Sequence, residues 1–177
     1  MSNFFNADRK NFEWKNLGDI SEGRENLGEE MPVLLYRLMQ YTLLDVLSAD
    51  MGLNNANDYF RRAGYLAGVE FATNALDLTL PYESFVAALQ ERLKELKVGI
   101  LRIEAYNTTS GEIVLTIGED LDCSGLPVTG EVVCIYDEGF LAGILNTYTG
   151  KNYKVREVDC WATGDRVCRF IGTPQED

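Results

Sequence analysis

The segment REVDCWATGDRVC, residues 156–168, contains one carboxylate and two thiols that can bind a metal ion: Glu157, Cys160 and Cys168. Thiols in such an arrangement can also pack as small hydrophobic groups or pair in a disulfide. A disulfide is the least expected outcome, because we expect a cytoplasmic protein and the cytoplasm keeps thiols reduced. The choice that stays open is between simple packing and metal ligation.

A tetrahedral metal site needs a fourth ligand, and the chain has two further cysteines. Cys123 lies in an acidic loop, whereas Cys134 falls in the first turns of a predicted helix. Cys134 is the better candidate, because the positive end of a helix dipole stabilises the thiolate that a metal requires. Three thiolates and one carboxylate suit structural zinc, which leaves no open position for substrate. From spacing alone packing stays an alternative, since seven residues separate Cys160 from Cys168 and a zinc knuckle is shorter.

The elements that must position these groups are a β-hairpin and the helix before it. Residues 152–161 and 165–172 have the pattern of two strands, and residues 163–165 contain the turn. A hairpin of this register can bring the carboxylate and both thiols to one point. The preceding helix is predicted for residues 131–149 and ends at Gly150.

Three more helices are predicted upstream, over residues 32–49, 56–76 and 81–97. The first keeps its polar residues in one narrow stripe, so we expect it to be mostly buried or to face a partner subunit. The second contains Gly64 and Gly68. Glycine inside a helix costs about 1 kcal/mol relative to alanine, so the pair predicts that another element or a ligand crosses there, and close helix packing is the favoured explanation.

A first hairpin, over residues 98–106 and 112–119, alternates apolar and polar side chains. The elements together predict an α/β (α+β) domain over residues 23–173. Residues 1–22 are predicted to be an N-terminal arm, with one short strand near residues 12–17.

The composition excludes several classes of function. Twenty-eight acidic and sixteen basic residues give a net charge of −12, which would repel nucleic acid. No apolar stretch is long enough to span a membrane, and the N-terminus lacks a signal-peptide pattern. The chain has no histidine, so histidine-based acid–base catalysis and histidine-activated nucleophiles are excluded.

The order Cys134, Glu157, Cys160 and Cys168, with 22, two and seven residues between them, resembles the 4-vinyl-reductase, or hydrocarbon-binding, domain family. It is most similar to the zinc site in the sensor domains of phenol- and xylene-responsive transcriptional activators. The resemblance implies that these four residues bind a structural Zn²⁺. It also implies the fold of TRAPP vesicle-transport subunits, in which helices pack on an antiparallel sheet. It is clear over residues 130–172 and diffuse upstream.

Sensors of that family hold a small aromatic effector in a closed apolar cavity, where a histidine and a tryptophan bind the phenol hydroxyl. This chain has no histidine, and the family spacing puts Ile113 near the position of the tryptophan. The expected ligand is therefore a small apolar or aromatic molecule without a phenol-specific contact. Rings with a polar tip are candidates for the pocket wall, although core packing is the commoner fate of such residues. These candidates are Tyr36, Tyr59, Tyr65 and Trp161.

The favoured function is a stand-alone ligand-binding or sensor domain that forms a homodimer through its first helix and signals by contact with another protein. Two alternatives stay open. One is an accessory or carrier protein in tetrapyrrole vinyl reduction, which the family name implies. The other is a TRAPP-like scaffold in which Cys123 could be a modified thiol, although an ordinary loop cysteine is favoured. Direct catalysis is not expected, because a saturated zinc ion has no open position and no dinucleotide-binding motif follows a strand.

Overall fold

A computed structural model describes residues 12–176, in which five helices pack on a four-stranded antiparallel sheet. The helices are α1 (Ile20–Gly23), α2 (Val33–Met51), α3 (Leu53–Ala75), α4 (Tyr82–Glu95) and α5 (Ile135–Thr149). The strands are β1 (Ile100–Tyr106), β2 (Ile113–Gly118), β3 (Tyr153–Asp159) and β4 (Val167–Pro174). The predicted fold class is confirmed.

The sheet has the strand order β1-β2-β4-β3, and every neighbouring pair is antiparallel. Both predicted hairpins are therefore confirmed, and β2 and β4 form the centre of the sheet. Because side chains alternate between the two faces of a strand, every second residue of these central strands is buried. The buried apolar side chains are Ile113, Leu115 and Ile117 of β2 and Cys168 and Phe170 of β4, and Thr116 of β2 is buried as well. Cys168 thus belongs to the core face of a central strand.

Helices α3 and α5 cross in direct backbone contact. A β-carbon added to Gly64 or Gly68 of α3 would overlap backbone atoms of α5. In the same way, a β-carbon on Gly139 or Gly143 of α5 would overlap backbone atoms of α3. The close approach predicted from the glycines of the second helix is confirmed, and α5 contributes a matching pair.

The N-terminal arm differs from the prediction. Residues Trp14–Leu17 form a 3-10 turn, so the short strand expected there is wrong. Asn16 Oδ1 accepts a hydrogen bond from the backbone of Glu13, a local contact that favours a turn over an extended chain. The backbone N–H of Trp14 donates to Glu70 Oε2 of α3 at 2.6 Å. Residues 1–11 lie outside the described residues, and the division into an arm and a domain stays a prediction.

Helix α5 begins four residues later than predicted, at Ile135, and Cys134 is its N-cap residue. The reason is a tertiary contact that the local pattern does not contain. The backbone N–H groups of Thr129 and Gly130 both donate to the carbonyl oxygen of Ala162, at 2.9 Å each. This contact holds the segment before α5 against the β3–β4 turn in a non-helical conformation.

Helix α2 is largely exposed in the single chain. Its apolar side chains include Leu34, Leu38 and Met39, which are 73%, 58% and 61% exposed. The prediction that this helix is mostly buried within the chain is therefore wrong, whereas the prediction that it faces a partner subunit stays untested. Among residues 12–176, none of the helices combines the length and apolar character that a membrane span requires.

The substitution Gly139→Ala is expected to lower the free energy of unfolding by about 1–3 kcal/mol, because the new methyl group would meet the backbone of Arg61. The midpoint of urea denaturation measures this change. Gly23→Ala is the matched control, since no atom lies within 4 Å of the added group. Equal midpoints for both variants would contradict the close crossing of α3 and α5.

Candidate metal centre

Four cysteine side chains from separate segments meet in the interior. Cys123 lies in the loop after β2, Cys134 caps α5, Cys160 directly follows β3, and Cys168 is the second residue of β4. All four are free thiols no more than 1% exposed, and their sulfur atoms lie within 4.8 Å of one another. The structure thus brings together three predicted ligands and adds Cys123, which the sequence analysis favoured as an ordinary loop cysteine.

The distances between the sulfur atoms suit a single metal ion. Zinc–sulfur bonds of about 2.3 Å in a tetrahedron place the sulfur atoms about 3.8 Å apart. Cys134 Sγ lies 3.7 Å from Cys168 Sγ and 3.9 Å from Cys160 Sγ. Cys123 Sγ and Cys168 Sγ are closer, at 3.0 Å, so a metal ion bound by both would move them apart. The type, number and spacing of these donors fit a zinc-type ion.

The turn between β3 and β4 positions Cys160 and Cys168 through the backbone. Gly164 adopts a φ of 106°, which favours glycine and lets the chain reverse. The N–H groups of Thr163 and Asp165 both donate to the carbonyl oxygen of Cys160, at 3.1 Å each. Cys168 pairs with Ile117 in the centre of the sheet. The backbone N–H of Cys160 also donates to Thr163 Oγ1 at 2.9 Å, so backbone and side-chain hydrogen bonds of the turn bring these two thiols together.

Glu157, the fourth predicted ligand, lies beside the thiols with one carboxylate oxygen engaged. Its Oε2 accepts a hydrogen bond of 2.9 Å from the backbone N–H of Cys134. Its Oε1 is buried and has no hydrogen-bond partner within residues 12–176. A buried acceptor without a partner costs about 1–3 kcal/mol, which a bound cation would remove. The four thiols therefore fit a metal ion as a group. Glu157 lies beside them through its hydrogen bond to the backbone of Cys134, but its oxygens are not among the ligand atoms that lie within 4.8 Å of one another.

The electrostatics of the cluster also favour a cation. Burial, followed by the negative charge of Cys160, raises the pKa of Glu157 to about 8. The pKa of Cys160 is lowered, because the other three thiols donate hydrogen bonds to its thiolate, that of Cys123 most strongly. Hydrogen bonding with Cys123 raises the pKa of Cys134 and of Cys168. A divalent ion bound by the cluster would supply the positive charge that ionises the thiols.

A buried ion-pair network joins Glu157 to α3. The side chain of Glu138 on α5 is 3% exposed, and its Oε2 accepts from Arg61 Nε and Arg156 Nη1 at 2.8 Å each. Its Oε1 accepts a hydrogen bond of 2.9 Å from the backbone N–H of Glu157. Glu138 therefore connects α3, α5 and β3 at a candidate metal ligand.

The acidic loop after β2 anchors α2, which the sequence analysis missed. Asp122 is buried and accepts hydrogen bonds from Tyr36 Oη and Gln40 Nε2 of α2, both at 2.8 Å. Its pKa is raised by burial. Because Asp122 is adjacent to Cys123, this contact links α2 to the thiol cluster. The signal that could have indicated it is the pair Asp120 and Asp122 directly before Cys123.

Two further buried carboxylates, Asp120 and Asp137, adjoin Cys134. Asp120 Oδ1 accepts hydrogen bonds from the backbone N–H groups of Asp122 and Cys123, at 2.8 and 3.2 Å. Burial raises the pKa of Asp120 to about 6, and burial with nearby negative charge raises the pKa of Asp137 well above its ordinary value. The ligand atoms of Asp120, Asp137 and Cys134 lie within 4.8 Å of one another, and Asp120 is held by the backbone donors of the loop.

The four aromatic residues predicted for a pocket wall do not share one cavity. Tyr36 lies in the Asp122 network, and Tyr59 is half exposed on α3. Tyr65 lines a groove of about 320 Å³ between α3, α5 and β3. Trp161 lines a second groove of about 470 Å³ beside the acidic loop. Their part in ligand binding stays a prediction.

This architecture, helices on an antiparallel sheet with thiols joining the last hairpin to a helix, agrees with a known domain family. Residues 113–174 match the family model of the 4-vinyl-reductase domain. The matched segment runs from β2 to the end of β4 and contains all five candidate metal ligands. The resemblance to the 4-vinyl-reductase domain family is confirmed over this segment.

Two uncharacterized proteins of Methanocaldococcus jannaschii are similar to most of the chain. MJ1642 is 28% identical over 146 residues, which are 82% of this chain and 80% of the relative. MJ0150 is 22% identical over 145 residues, which are 82% of this chain and 77% of the relative.

Three solved structures have the same fold. The phenol-responsive sensory domain of the transcription activator PoxR, solved with phenol, has a TM-score of 0.62 at 18% identity, covering 84% of this chain and 78% of its own. A vinyl-4-reductase family protein from Methanocaldococcus jannaschii has a TM-score of 0.62 at 17% identity, and the match covers 95% of this chain and 100% of that protein. Trafficking protein particle complex subunit 3 from Naegleria fowleri, covalently bound to palmitic acid, has a TM-score of 0.63 at 12% identity. The match covers 81% of this chain and 95% of that subunit. The TRAPP-subunit-like fold is confirmed.

The substitution Tyr36→Phe is expected to lower the free energy of unfolding by about 1–3 kcal/mol, because buried Asp122 loses a donor. Tyr59→Phe is the matched control, since the Tyr59 hydroxyl makes no hydrogen bond within residues 12–176. Urea denaturation of both variants measures the difference. Equal stabilities would show that the Tyr36–Asp122 contact does not anchor α2.

Proposed function

We propose that this chain is a small-molecule binding domain of the sensor type, in which a structural zinc ion joins the β3–β4 hairpin to α5. The observation that carries the proposal is the buried cluster of four thiols and Glu157, in a segment that matches the 4-vinyl-reductase domain. A small molecule retained by protein purified from cells, detected by native mass spectrometry, would support ligand binding. The proposal would be contradicted if repeated preparations retained no small molecule and the protein bound none of the small molecules added to it.

The proposed zinc ligands are Cys134, Glu157, Cys160 and Cys168, as the family resemblance implies. Cys123 is the alternative to Glu157, because its sulfur lies in the same cluster. Either set fills all four positions with protein atoms, so the ion would have a structural role. When bound, it would ionise the thiols and cross-link three segments of the chain.

The proposed ligand is a small apolar or aromatic molecule bound in the groove between α3, α5 and β3. The wall of this groove contains the apolar residues Ala142 and Val155 and the tyrosines Tyr65 and Tyr153. Glu138 also lines the groove and bonds to the backbone of Glu157. A ligand at this position could therefore influence the hairpin that carries the metal ligands.

A second copy of the chain is the proposed partner for the exposed face of α2. This helix has 19 residues and is about 28 Å long. The charged side chains among its exposed residues are Asp45 and Asp50. Arg37 is turned toward the acidic loop, where its Nε donates to the carbonyl oxygen of Leu121 at 2.7 Å. Two copies of a chain with a net charge of −12 repel each other least where their contact surfaces carry little charge.

Elemental analysis of protein purified without chelators is expected to find about one zinc ion per chain. Cys160→Ser removes a ligand in every proposed set, so the variant should lose zinc and unfold or aggregate. Bound structural zinc contributes on the order of 10 kcal/mol to the free energy of folding, and the variant would lose this contribution. A parent protein without metal, together with an unchanged melting temperature in Cys160→Ser, would contradict the zinc proposal.

Cobalt substitution can identify the fourth ligand, since thiolate-to-cobalt charge transfer reports the number of sulfur ligands. If Glu157 is the ligand, Cys123→Ser should leave this absorption unchanged, and Glu157→Gln should weaken metal binding. If Cys123 is the ligand, Cys123→Ser should lower the absorption by about a quarter, because one of four thiolates is lost. The second result would overturn the ligand set that the resemblance implies.

The substitution Leu38→Asp is expected to convert a dimer into a monomer, because it places a charge in the centre of the exposed face of α2. Sedimentation velocity measures the oligomeric state. Val158→Asp, at an exposed position of β3, is the control and should leave the dimer intact. A parent protein that sediments as a monomer at all concentrations would contradict the proposed partner.

A further inference from the structure

We infer that the groove between α3, α5 and β3 takes a ligand with an anionic group, a carboxylate or a phosphate ester, on an apolar body. The inference rests on the proposed function, since it names the chemical class of the small molecule. It arises from the distribution of charge in the groove.

Positive charge is concentrated in this groove although the whole chain is strongly acidic. Four of the 16 basic residues line it, and they are Arg61, Arg62, Lys154 and Arg156. The one carboxylate in its wall belongs to Glu138, which is buried against two of the arginines. Four cations against one anion leave three positive charges in excess, in a chain with a net charge of −12. A concave surface of one charge focuses the field on a ligand of the opposite charge.

Several of these cationic donors have no acceptor in the chain. The hydrogen bond between Arg156 and Glu138 uses Nη1. Within residues 12–176, Nε and Nη2 of Arg156 donate no hydrogen bond, and Nζ of Lys154 has no hydrogen-bond or ion-pair partner. Arg62 has a contact of 4.0 Å with Asp58, and its guanidinium lies 5.4 Å from the centre of the Tyr59 ring. A carboxylate or phosphate could accept from these donors in charge-assisted, bidentate geometry without displacing Glu138.

The remaining wall selects the body of the ligand. Ala142, Val155 and the rings of Tyr65 and Tyr153 are apolar surface beside the cations. The volume of about 320 Å³ lies within the range of small-molecule sites. An organic acid with an aromatic or aliphatic body would use both parts of the wall, whereas a free inorganic ion would use only the cations.

The test is calorimetric titration of the zinc-loaded full chain with four probes at low salt. Benzoate and phenyl phosphate carry an anion on an aromatic ring, acetate lacks the ring, and benzyl alcohol lacks the charge. Benzoate or phenyl phosphate should bind saturably, more tightly than acetate and benzyl alcohol, and more weakly as salt increases. The tighter of these two probes identifies a carboxylate or a phosphate ester as the anionic group.

Variants locate the binding to the groove. Arg156→Gln and Lys154→Gln should each weaken binding of the tighter probe about tenfold, since each removes a charge-assisted contact. Lys154→Gln breaks no hydrogen bond within residues 12–176, so it stays informative if Arg156→Gln fails to fold. Arg102→Gln is the control, because it removes the same charge from exposed β1 at the opposite edge of the sheet. Zinc content and melting temperature of each variant verify its fold.

Three results would overturn the inference. One is the absence of saturable binding of either aromatic anion up to on the order of 10 mM in zinc-loaded protein. Another is equal weakening by Arg102→Gln and by the groove variants. The third is that benzyl alcohol binds at least as tightly as the anions and does not respond to Arg156→Gln. This last result would leave the proposed function intact, because an apolar ligand would still bind.

Discussion

The crossing of α3 and α5 is the contact on which the other features depend. Four glycines allow the two backbones to touch, so that α5 lies against both α3 and the sheet. This position brings the first turn of α5, with Cys134 and Glu138, next to β3. A larger residue at the crossing would separate the helices. Cys134 and Glu138 would then move away from β3, and both the thiol cluster and the Glu138 ion pairs would be disrupted.

The interior beside this crossing is rich in carboxylates, and different kinds of hydrogen-bond donor hold the different carboxylates. Arginines neutralise Glu138, hydroxyl and amide groups of α2 hold Asp122, and backbone N–H groups hold Asp120. The exception is Glu157 Oε1, which has no such donor within residues 12–176. Buried carboxylates are stable only with partners, and the thiol cluster lies beside this carboxylate oxygen that lacks one.

The sequence predicts the parts of the fold that depend on local patterns. Alternating strands, turn residues around Gly164 and the position of Gly150 indicate both hairpins and the end of α5. It predicts three of the clustered thiols because Cys160 and Cys168 share one hairpin and Cys134 precedes the adjacent helix. Cys123 is different, since its position depends on hydrogen bonds between the acidic loop and α2, more than 80 residues apart in the chain. The nearby pair Asp120 and Asp122 indicates acidic groups beside Cys123, but it does not identify α2 as their partner.

Helix α2 illustrates a second limit of sequence patterns. An apolar helix with a narrow polar stripe has the same composition whether its partner is the core or another molecule, so hydropathy alone does not distinguish them. The structure separates the two cases, because Tyr36 and Gln40 bond to Asp122 while Leu34, Leu38 and Leu43 are exposed. The side of α2 that carries Tyr36, Arg37 and Gln40 is therefore its attachment to the domain. This attachment ends at Asp122, next to Cys123, so the thiol cluster and the exposed apolar face of α2 are held by adjacent residues of one loop.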